Sequence, residues 1–270
     1  MSYPRRNAGL RGLLKPESVD LPFLHELDTR VGGVEVPESF DTSHGWAKWM
    51  SLGNAPATSL PGDDLTINNG NEVGDCFFAA VYHGLINKAL EQVTAGPSAW
   101  VLRSGFTMPT ANGVVGLYLG YQNGLPPGKS ATTGPDNGTE PVAGFKWFQA
   151  AGLIKRWWPV DVGQLDQGTY DSKGVLTAWA LDEDAEEEFA EHKPWLNIPE
   201  ALDPIEGGHA TYRVARTPRY GTEITWGSDE LASHPWEKAH LQAAYGFQAP
   251  WEPDPVGYDF RPLDEKLAKL

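Results

Sequence analysis

The stretch GDCFFAAVYHGLINKALEQV, residues 74–93, opens in a turn and continues with the spacing of a helix. Apolar residues recur every four positions along one face, and two small residues beside them allow a neighbour to approach closely. These positions are Phe77, Ala80, Val81, Gly84 and Leu85. The pattern predicts a buried helix from Asp75 to about Val93, which Gly96-Pro97 ends.

Cys76, the sole cysteine of the chain, falls on the first turn of this helix. The unpaired N–H groups of a helix start and the helix dipole stabilise a thiolate and lower the thiol pKa, which makes the sulfur a nucleophile. A buried structural cysteine that acts as a small hydrophobe fits the position alone equally well. A single cysteine excludes an internal disulfide and fits a reducing compartment.

His209 favours the catalytic interpretation. It follows two glycines in the run GGHATYRV, residues 207–214, at the start of an alternating strand where a partner can approach its ring. Cysteine catalysis needs a base that holds the thiolate as an ion pair and then protonates the leaving amine. His83 lies two turns into the buried helix and is expected to be a satisfied core or groove residue. The other histidines are weaker candidates: His25, His44, His192, His234 and His240.

The remaining sequence predicts a second helix, several short strands and a last helix. Residues 109–138 are turn-rich, and a helix is predicted from about Glu140 to Ala151 with Thr139 as its N-cap. Alternating runs predict strands at Leu153–Trp157, Val175–Leu181, His209–Val214 and Thr222–Trp226. A helix at about Pro235–Tyr245 precedes a Pro-rich tail of coil. Helices followed by strands predict an α+β domain.

The N-terminal part of the chain differs from the rest because it is rich in Pro, Gly and charge and has no sustained apolar period. We predict that residues 1–60 form an N-terminal extension or arm and that residues 61–270 form the main domain. The arm either wraps the main domain or docks on a neighbouring subunit. Residues 53–74 have the composition of a loop.

Composition argues against several classes of function. The 270 residues carry a formal net charge of -15, so phosphate backbones and anionic membrane surfaces would repel the chain. No apolar run reaches about 18 residues, and the N-terminal residues lack the apolar core of a secretory signal, which predicts synthesis for the cytosol. HExxH, CxxC, P-loop and GxSxG motifs are absent. Their absence predicts that the chain uses no cofactor. The acidic run 182–191 is expected to be a solvated helix or loop and not a metal site, so we also expect no metal.

Three short runs carry a resemblance through their order. Gly74-Asp75-Cys76-Phe77 opens a long helix, Gly208-His209-Ala210 starts a strand, and Thr225-Trp226-Gly227 ends another. In this order they resemble the papain-like cysteine peptidases. The resemblance implies an α+β, papain-like fold in which a helical layer carries the cysteine and an antiparallel sheet carries the histidine. It also implies Cys76 as nucleophile and His209 as base.

The match is closer still to a papain-like group encoded by bacteriophages and their bacterial hosts. That group resembles this chain in its opening motifs, in a helix that ends in Ala-Gly-Leu-Ile, and in a closing helix. The matching positions are Asp41, Ser43, Gly45, Trp49, Gly53-Asn54, Gly74-Asp75-Cys76, residues 136–154 and residues 235–239. The resemblance covers about residues 40–250.

Two positions differ from the family pattern. Papain-like enzymes orient the catalytic histidine with an Asn two residues before the Trp, where this chain has Ile224. Thr225, or a carboxylate such as Asp229, would then take that role. The family places a Gln or Asn of the oxyanion hole six residues before the cysteine, where this chain has Gly70. The candidates to replace it are Asn69 and Asn71.

These observations lead to two functional hypotheses. The first is a papain-like thiol hydrolase that acts through Cys76 and His209 on a peptide, an isopeptide or a peptidoglycan stem peptide. The alternative is a catalytically weak or inactive papain-fold structural protein of a phage virion, assembled through its arm. The expected partners are a peptide-like substrate or other virion proteins, with no nucleic acid and no membrane. The expected location is the host cytoplasm or the virion.

Overall fold

The structure is a computed structural model, and it describes residues 19–30, 34–51, 73–91, 110–196 and 207–270. Nine α-helices lie within these ranges. They are α1 (Leu24–Leu27), α2 (His44–Ser51), α3 (Cys76–Glu91), α4 (Ala111–Gln122), α5 (Pro141–Ala150), α6 (Leu165–Ser172), α7 (Glu183–Ala190), α8 (His234–His240) and α9 (Arg261–Leu267). None of these helices is both long enough and apolar enough to cross a bilayer.

The strands of the described ranges form one antiparallel sheet. They are β1 (Phe40–Asp41), β2 (Arg156–Val160), β3 (Val175–Leu181), β4 (Gly207–Arg216), β5 (Tyr220–Thr225), β6 (Ser228–Ser233) and β7 (Leu241–Gln248). The strand order is β2-β7-β3-β4-β5-β6, and β1 pairs with β4. The closing part of the sheet is a meander, since β4, β5 and β6 pair in chain order. The predicted mixture of helices and antiparallel strands is confirmed.

Helix α3 is the central helix, and residues 76–90 of it are all buried. It packs on the sheet through Gly84, where an added Cβ would lie 2.5 Å from Tyr212 Cε2 and 2.5 Å from Phe247 Cζ. On another side, Phe77 meets Phe145 of α5 edge to face with ring centroids 5.0 Å apart. The close approach predicted from the small residues of this helix is therefore present.

The sheet separates two apolar clusters. Successive residues of a strand point to opposite faces, and β3 shows this directly: Ala178 belongs to the main cluster, whereas Trp179 belongs to the second. The main cluster contains the apolar side chains of α3 and α5. The second cluster comprises Trp179, Leu181, Ala185, Trp195, Ala232 and Trp236. Burial on both faces explains why every residue of β3 is buried.

Both described segments of the predicted arm pack on this chain's own core. Their buried residues in the main cluster are Leu21, Leu24, Leu27, Trp46 and Trp49. Strand β1 adds to the sheet, with Phe40 opposite Arg216. At the other end, the N–H of Thr29 donates to the carbonyl of Gly257 at 2.7 Å. The division of the chain at residue 60 stays a prediction.

Several predicted helices differ from the observed ones in extent or capping. Within the turn-rich region 109–138, the structure has helix α4, and Thr110 caps it by accepting the N–H of Gly113 at 3.1 Å. The prediction of turns is wrong there: the glycines and Asn112 are typical of turns, but the buried residues Val114, Val115, Tyr118 and Leu119 recur with the spacing of a helix. The predicted N-cap Thr139 is also wrong. Glu140 caps α5, its carboxylate accepting the N–H groups of Val142 and Ala143.

The predicted last helix and the first predicted strand are also corrected. Helix α8 ends at His240, and the rest of the predicted helix 235–245 is strand β7, because its apolar residues pair across the sheet. Strand β2 begins three residues later than predicted, after a turn at Gly152 with φ +70°. The Pro-rich tail contains helix α9. The acidic run forms α7, capped by Asp182, whose carboxylate accepts the N–H of Ala185 at 3.0 Å.

Candidate active site

Cys76 is the first residue of α3, and its side chain is buried with 8% exposure. Burial raises the pKa of its thiol to about 12, and the nearby carboxylates of Asp75 and Asp136 add to the rise. The main-chain N–H groups of Ala210 and Phe77 oppose it. The predicted lowering of the thiol pKa is therefore wrong, because loss of water outweighs the amides of the helix start. The contact with Ala210 places the thiol against the strand that carries His209.

His209 is the third residue of β4, and its ring is held on two sides. Its Nε2 atom lies 2.7 Å from Oγ1 of Thr225, on the neighbouring strand β5. Its face stacks on the indole of Trp226, with ring centroids 4.5 Å apart and planes 21° from parallel. Its Nδ1 atom is buried and makes no hydrogen bond to any of the described residues. The ring thus has one nitrogen engaged and one nitrogen available as a proton acceptor.

The imidazole of His209 is held in its neutral form. The residue is 2% exposed, and burial lowers its pKa to about 3, helped by the proximity of His83. The neutral thiol of Cys76 completes a neutral pair of candidate groups. A preformed thiolate–imidazolium ion pair, as the sequence suggested, is not the state that this environment favours.

Of the two candidates for orienting His209, the structure brings Thr225 to the ring. Thr225 is 1% exposed, so its hydrogen bond with His209 is shielded from water. Asp229 instead directs its carboxylate towards the indole of Trp46. Ile224 packs its side chain in the main apolar cluster.

His83 lies on the same side of α3 as Cys76, two turns further along. It is buried, as expected, and its ring packs edge-on against Trp46 with centroids 5.1 Å apart. Among residues 19–30, 34–51, 73–91, 110–196 and 207–270, neither ring nitrogen finds a hydrogen bond of ordinary geometry, although the carbonyl of Ile224 lies near enough to favour the charged form. Burial dominates and lowers the pKa of His83 to about 3. The expected buried position is confirmed, and the carbonyl of Ile224 is a polar group beside the ring.

Two further residues at the site had no role assigned from sequence. Trp226 covers His209, and the Trp-Gly pair that follows Thr225 was the available signal, since its backbone reverses there with φ +43° at the Trp and +72° at Gly227. Asp136 accepts the N–H of Gly74 with both carboxylate oxygens, at 3.0 and 3.1 Å. No local pattern indicates this contact, because 62 residues separate the two partners.

The predicted oxyanion donor Asn71 lies outside the described residues, and so do Asn69 and Gly70. The role of these residues stays a prediction.

Comparison with known proteins identifies the fold. No family model matches the sequence, and no curated protein matches it. Among solved structures, xylellain, a cysteine protease from Xylella fastidiosa, is similar with a TM-score of 0.55 and 10% identity, over 92% of this chain and 99% of that one. Procathepsin B from Trypanosoma congolense is similar with a TM-score of 0.54 and 9% identity, over 90% of this chain and 88% of that one. The chain therefore has the fold of the papain-like cysteine proteases, which the order of its Cys, His and Trp motifs predicts.

Proposed function

We propose that the chain is a papain-like thiol hydrolase that cleaves an amide with Cys76 as nucleophile, His209 as base and Thr225 as the residue that orients His209. One observation carries the proposal. The Nε2 atom of His209 is held by Thr225, while its buried Nδ1 has no hydrogen-bond partner within the part of the chain that the structure describes. The residue after it, Ala210, directs its N–H to the thiol of Cys76. A nucleophile, a base and an orienting group are the parts that covalent catalysis needs.

The neutral pair implies general-base catalysis. As the sulfur of Cys76 bonds to the amide carbon, its proton passes to Nδ1 of His209. The imidazolium then gives that proton to the leaving nitrogen, the C–N bond breaks, and an acyl-thioester remains on Cys76. Water attacks the thioester carbon while His209 accepts one of its protons. The C–S bond breaks, the proton returns to the sulfur, and a carboxylic acid is released.

The substrate class within this proposal is a peptide, an isopeptide or a peptidoglycan stem peptide. All three offer the same reacting group, an amide carbonyl with an amine leaving group. Asn71 is proposed as the donor that stabilises the oxyanion, a contribution of about 100-fold to 1,000-fold in rate for donors of this kind. On the basis of the sequence motifs, we also propose that a bacteriophage encodes the chain and that the chain acts in the host cytoplasm.

The test uses the single cysteine of the chain. Purified protein is incubated with a mixture of peptides prepared from denatured proteins, with a lysine isopeptide and with a peptidoglycan stem peptide. The products are identified by mass spectrometry. We expect cleavage of one class, accumulation of an acyl adduct on Cys76, and no cleavage by Cys76→Ser or His209→Gln. Cleavage that survives in both variants would overturn the proposal.

The pH dependence provides a second test. Because the pKa of His209 is lowered to about 3, its base form persists as the pH falls through 6.5. We expect kcat/KM to stay constant across that value, where an exposed imidazole would lose activity. Iodoacetamide should alkylate Cys76 at a rate that keeps rising above pH 9, in line with the raised pKa of the thiol. An alkylation plateau at neutral pH would mean that a thiolate is preformed, contrary to the general-base route.

The second candidate is a weakly active or inactive structural protein of a phage virion. The observation that favours it is the neutral state of both Cys76 and His209, which lowers reactivity in the absence of substrate. Its partners would be other virion proteins, joined through the arm. Sedimentation of the full chain and of a chain lacking residues 1–18 distinguishes the structural role from the hydrolase. Assembly that depends on those residues supports the structural role, and a monomer in both cases contradicts it.

A further inference from the structure

The turn before the candidate nucleophile is anchored by a carboxylate from a distant part of the chain. The N–H of Gly74 donates to Oδ1 of Asp136 at 3.0 Å and to Oδ2 at 3.1 Å. Gly74 stands two residues before Cys76, where α3 begins. A hydrogen bond from a backbone N–H to an ionised carboxylate is about twice as strong as one between neutral groups. Asp136 therefore fixes the backbone immediately before the thiol.

Asp136 is itself held by α4. The hydroxyl of Tyr118, a fully buried residue of that helix, donates to Oδ1 of Asp136 and accepts the N–H of Gly138 at 3.1 Å. One turn further along α4, Gln122 donates from Nε2 to the carbonyl of Gly138 at 2.6 Å and accepts the N–H of Asn137 at 3.3 Å. Two side chains of α4 thus fix residues 136–138, and the carboxylate has little freedom to leave Gly74.

We propose that Asp136, held by Tyr118, is a positioning residue for Cys76, because its paired hydrogen bonds with Gly74 set the direction in which the first turn of α3 presents the thiol to β4. The proposal rests on the proposed thiol-hydrolase function. A reacting sulfur must approach its carbonyl at about 3 to 3.5 Å, and a displacement of 1 Å costs about 100-fold in rate.

The charge of Asp136 distinguishes this role from scaffolding. Its carboxylate is one of the groups that, after burial and Asp75, raise the pKa of the Cys76 thiol. Asp136 therefore has two separable effects: it aligns the thiol, and it disfavours the thiolate in the absence of substrate. A neutral isosteric amide would keep one acceptor oxygen for Gly74 and remove the charge. A merely structural residue would change folding stability without moving the thiol pKa.

The experiment compares three variants with a matched control. Asp136→Ala removes the acceptor and the charge, Asp136→Asn keeps one acceptor without the charge, and Tyr118→Phe frees the carboxylate but keeps its charge. The control is Asp161→Asn, because Oδ1 of Asp161 likewise accepts a glycine N–H, that of Gly163 at 2.8 Å, in a turn outside the site. The readouts are hydrogen exchange of the Gly74 amide, iodoacetamide alkylation of Cys76 against pH, and kcat and KM.

In Asp136→Ala we expect exchange at Gly74 to rise by about 10-fold or more and kcat to fall by about 10-fold to 100-fold with KM within about twofold. In Asp136→Asn we expect a smaller loss of kcat and an alkylation pKa below that of the wild type. Tyr118→Phe should raise exchange at Gly74 and leave the alkylation pKa closer to the wild-type value. Asp161→Asn should match the wild type in every readout.

Two outcomes would overturn the positioning role. One is wild-type exchange at Gly74 in both Asp136 variants. The other is a loss of kcat in Asp136→Asn that equals the loss of folded protein measured by circular dichroism. In that case the alkylation of Cys76 in the folded fraction would also be unchanged. Failure of the proposed function gives a different result: the wild type hydrolyses no amide, while the differences in exchange and alkylation remain and support the anchoring of the thiol by Asp136.

Discussion

The Oγ1 atom of Thr225 lies 2.7 Å from Nε2 of His209, a contact between two buried residues on neighbouring strands. When the hydroxyl accepts a hydrogen bond from the N–H of Nε2, Nδ1 carries no proton. This is the tautomer that the proposed mechanism needs for His209 to take a proton from Cys76. In this chain the group at Nε2 of His209 therefore belongs to the residue next to the Trp, whereas the papain-like pattern places an Asn one residue earlier.

Replacement of Thr225 by Val keeps the shape of the side chain but removes the hydroxyl. We expect kcat to fall by about 10-fold, the value of one buried hydrogen bond that orients a base, while Thr225→Ser retains most of the activity. Nitrogen NMR of His209 should show a proton on Nε2 in the wild type and a mixture of tautomers in Thr225→Val. A Val variant with unchanged kcat and unchanged ring signals would exclude the orienting role.

His83 should make the protein sensitive to acid. Its folded-state pKa is lowered to about 3 from 6.5, so between these values the unfolded chain binds a proton that the folded chain does not. Stability from this group is present above pH 6.5 and is lost as the pH falls towards 3. His83→Leu should therefore take up about one proton fewer on unfolding in this window, measured from the pH dependence of urea denaturation.

His234 should affect the pH dependence of stability in the opposite direction to His83. The hydrogen bond to Glu237 is the main cause that raises the pKa of His234. Its stabilising contribution is therefore present below pH 6.5 and is lost as the pH rises through the folded-state pKa. His234→Leu should change the stability curve on the alkaline side of pH 6.5. If His83→Leu has the same acid-side slope as the wild type, the imidazole of His83 is not buried in its neutral form.

Arg213 should be essential for stability because it is the cation of a buried network. Its guanidinium is fully buried, with Nη2 2.9 Å from Asp166, Nε 3.0 Å from Glu237 and Nε 3.6 Å from Glu223. Arg213→Met removes the cation that these three carboxylates share; Asp166 keeps Arg216 and Glu237 keeps His234, but the buried Glu223 loses its ion pair. We expect a loss of about 3 to 5 kcal/mol in the free energy of unfolding. Lys193→Met, which removes a cation from an exposed pair with Glu191, should leave the unfolding midpoint unchanged.

The loss in Arg213→Met should also depend on pH. Burial raises the pKa of Glu223 to about 7 from 4.5, and Arg213 opposes that rise. A carboxyl with a raised folded-state pKa loses its stabilising contribution as the pH rises from 4.5 through 7. Without the arginine this pKa rises further, so the variant should be less destabilised at pH 5 than at pH 8. Equal losses at both values would show that Glu223 does not titrate in this interval.

Gly84 should resist enlargement because of its contact with the sheet. Gly84→Ala gains about 1 kcal/mol of helix propensity, but the new Cβ would lie 2.5 Å from ring atoms of Tyr212 and Phe247. We expect a net destabilisation of about 1 to 3 kcal/mol in thermal or urea unfolding. In Gly116→Ala on α4 the nearest atoms lie 3.4 Å away, so that variant should match or exceed the wild type. A stable Gly84→Ala protein would mean that α3 can move away from the sheet.

Local sequence patterns determined the central elements of the fold. The helix that begins at Cys76 and strand β3 at Val175–Leu181 have patterns long and regular enough to be recognised directly. Helix α4 was missed because its glycines and Asn112 favour turns, although its buried apolar residues have helical spacing. Strand β7 was missed because an apolar run such as Leu241–Gln248 fits a helix or a strand equally well. Pairing with β2 and β3 decided β7 as a strand.

The sequence by itself indicated the candidate residues for chemistry: one cysteine at a helix start, a histidine after two glycines, and Thr225 or Asp229 beside a Trp-Gly pair. Only the tertiary structure decided their charge state, because the pKa of Cys76 and of His209 depends on the water that packing removes. It also decided that Thr225 rather than Asp229 meets His209, and that Asp136 meets Gly74. Contacts between residues far apart in the chain depend on how helices and strands pack, which no local spacing encodes.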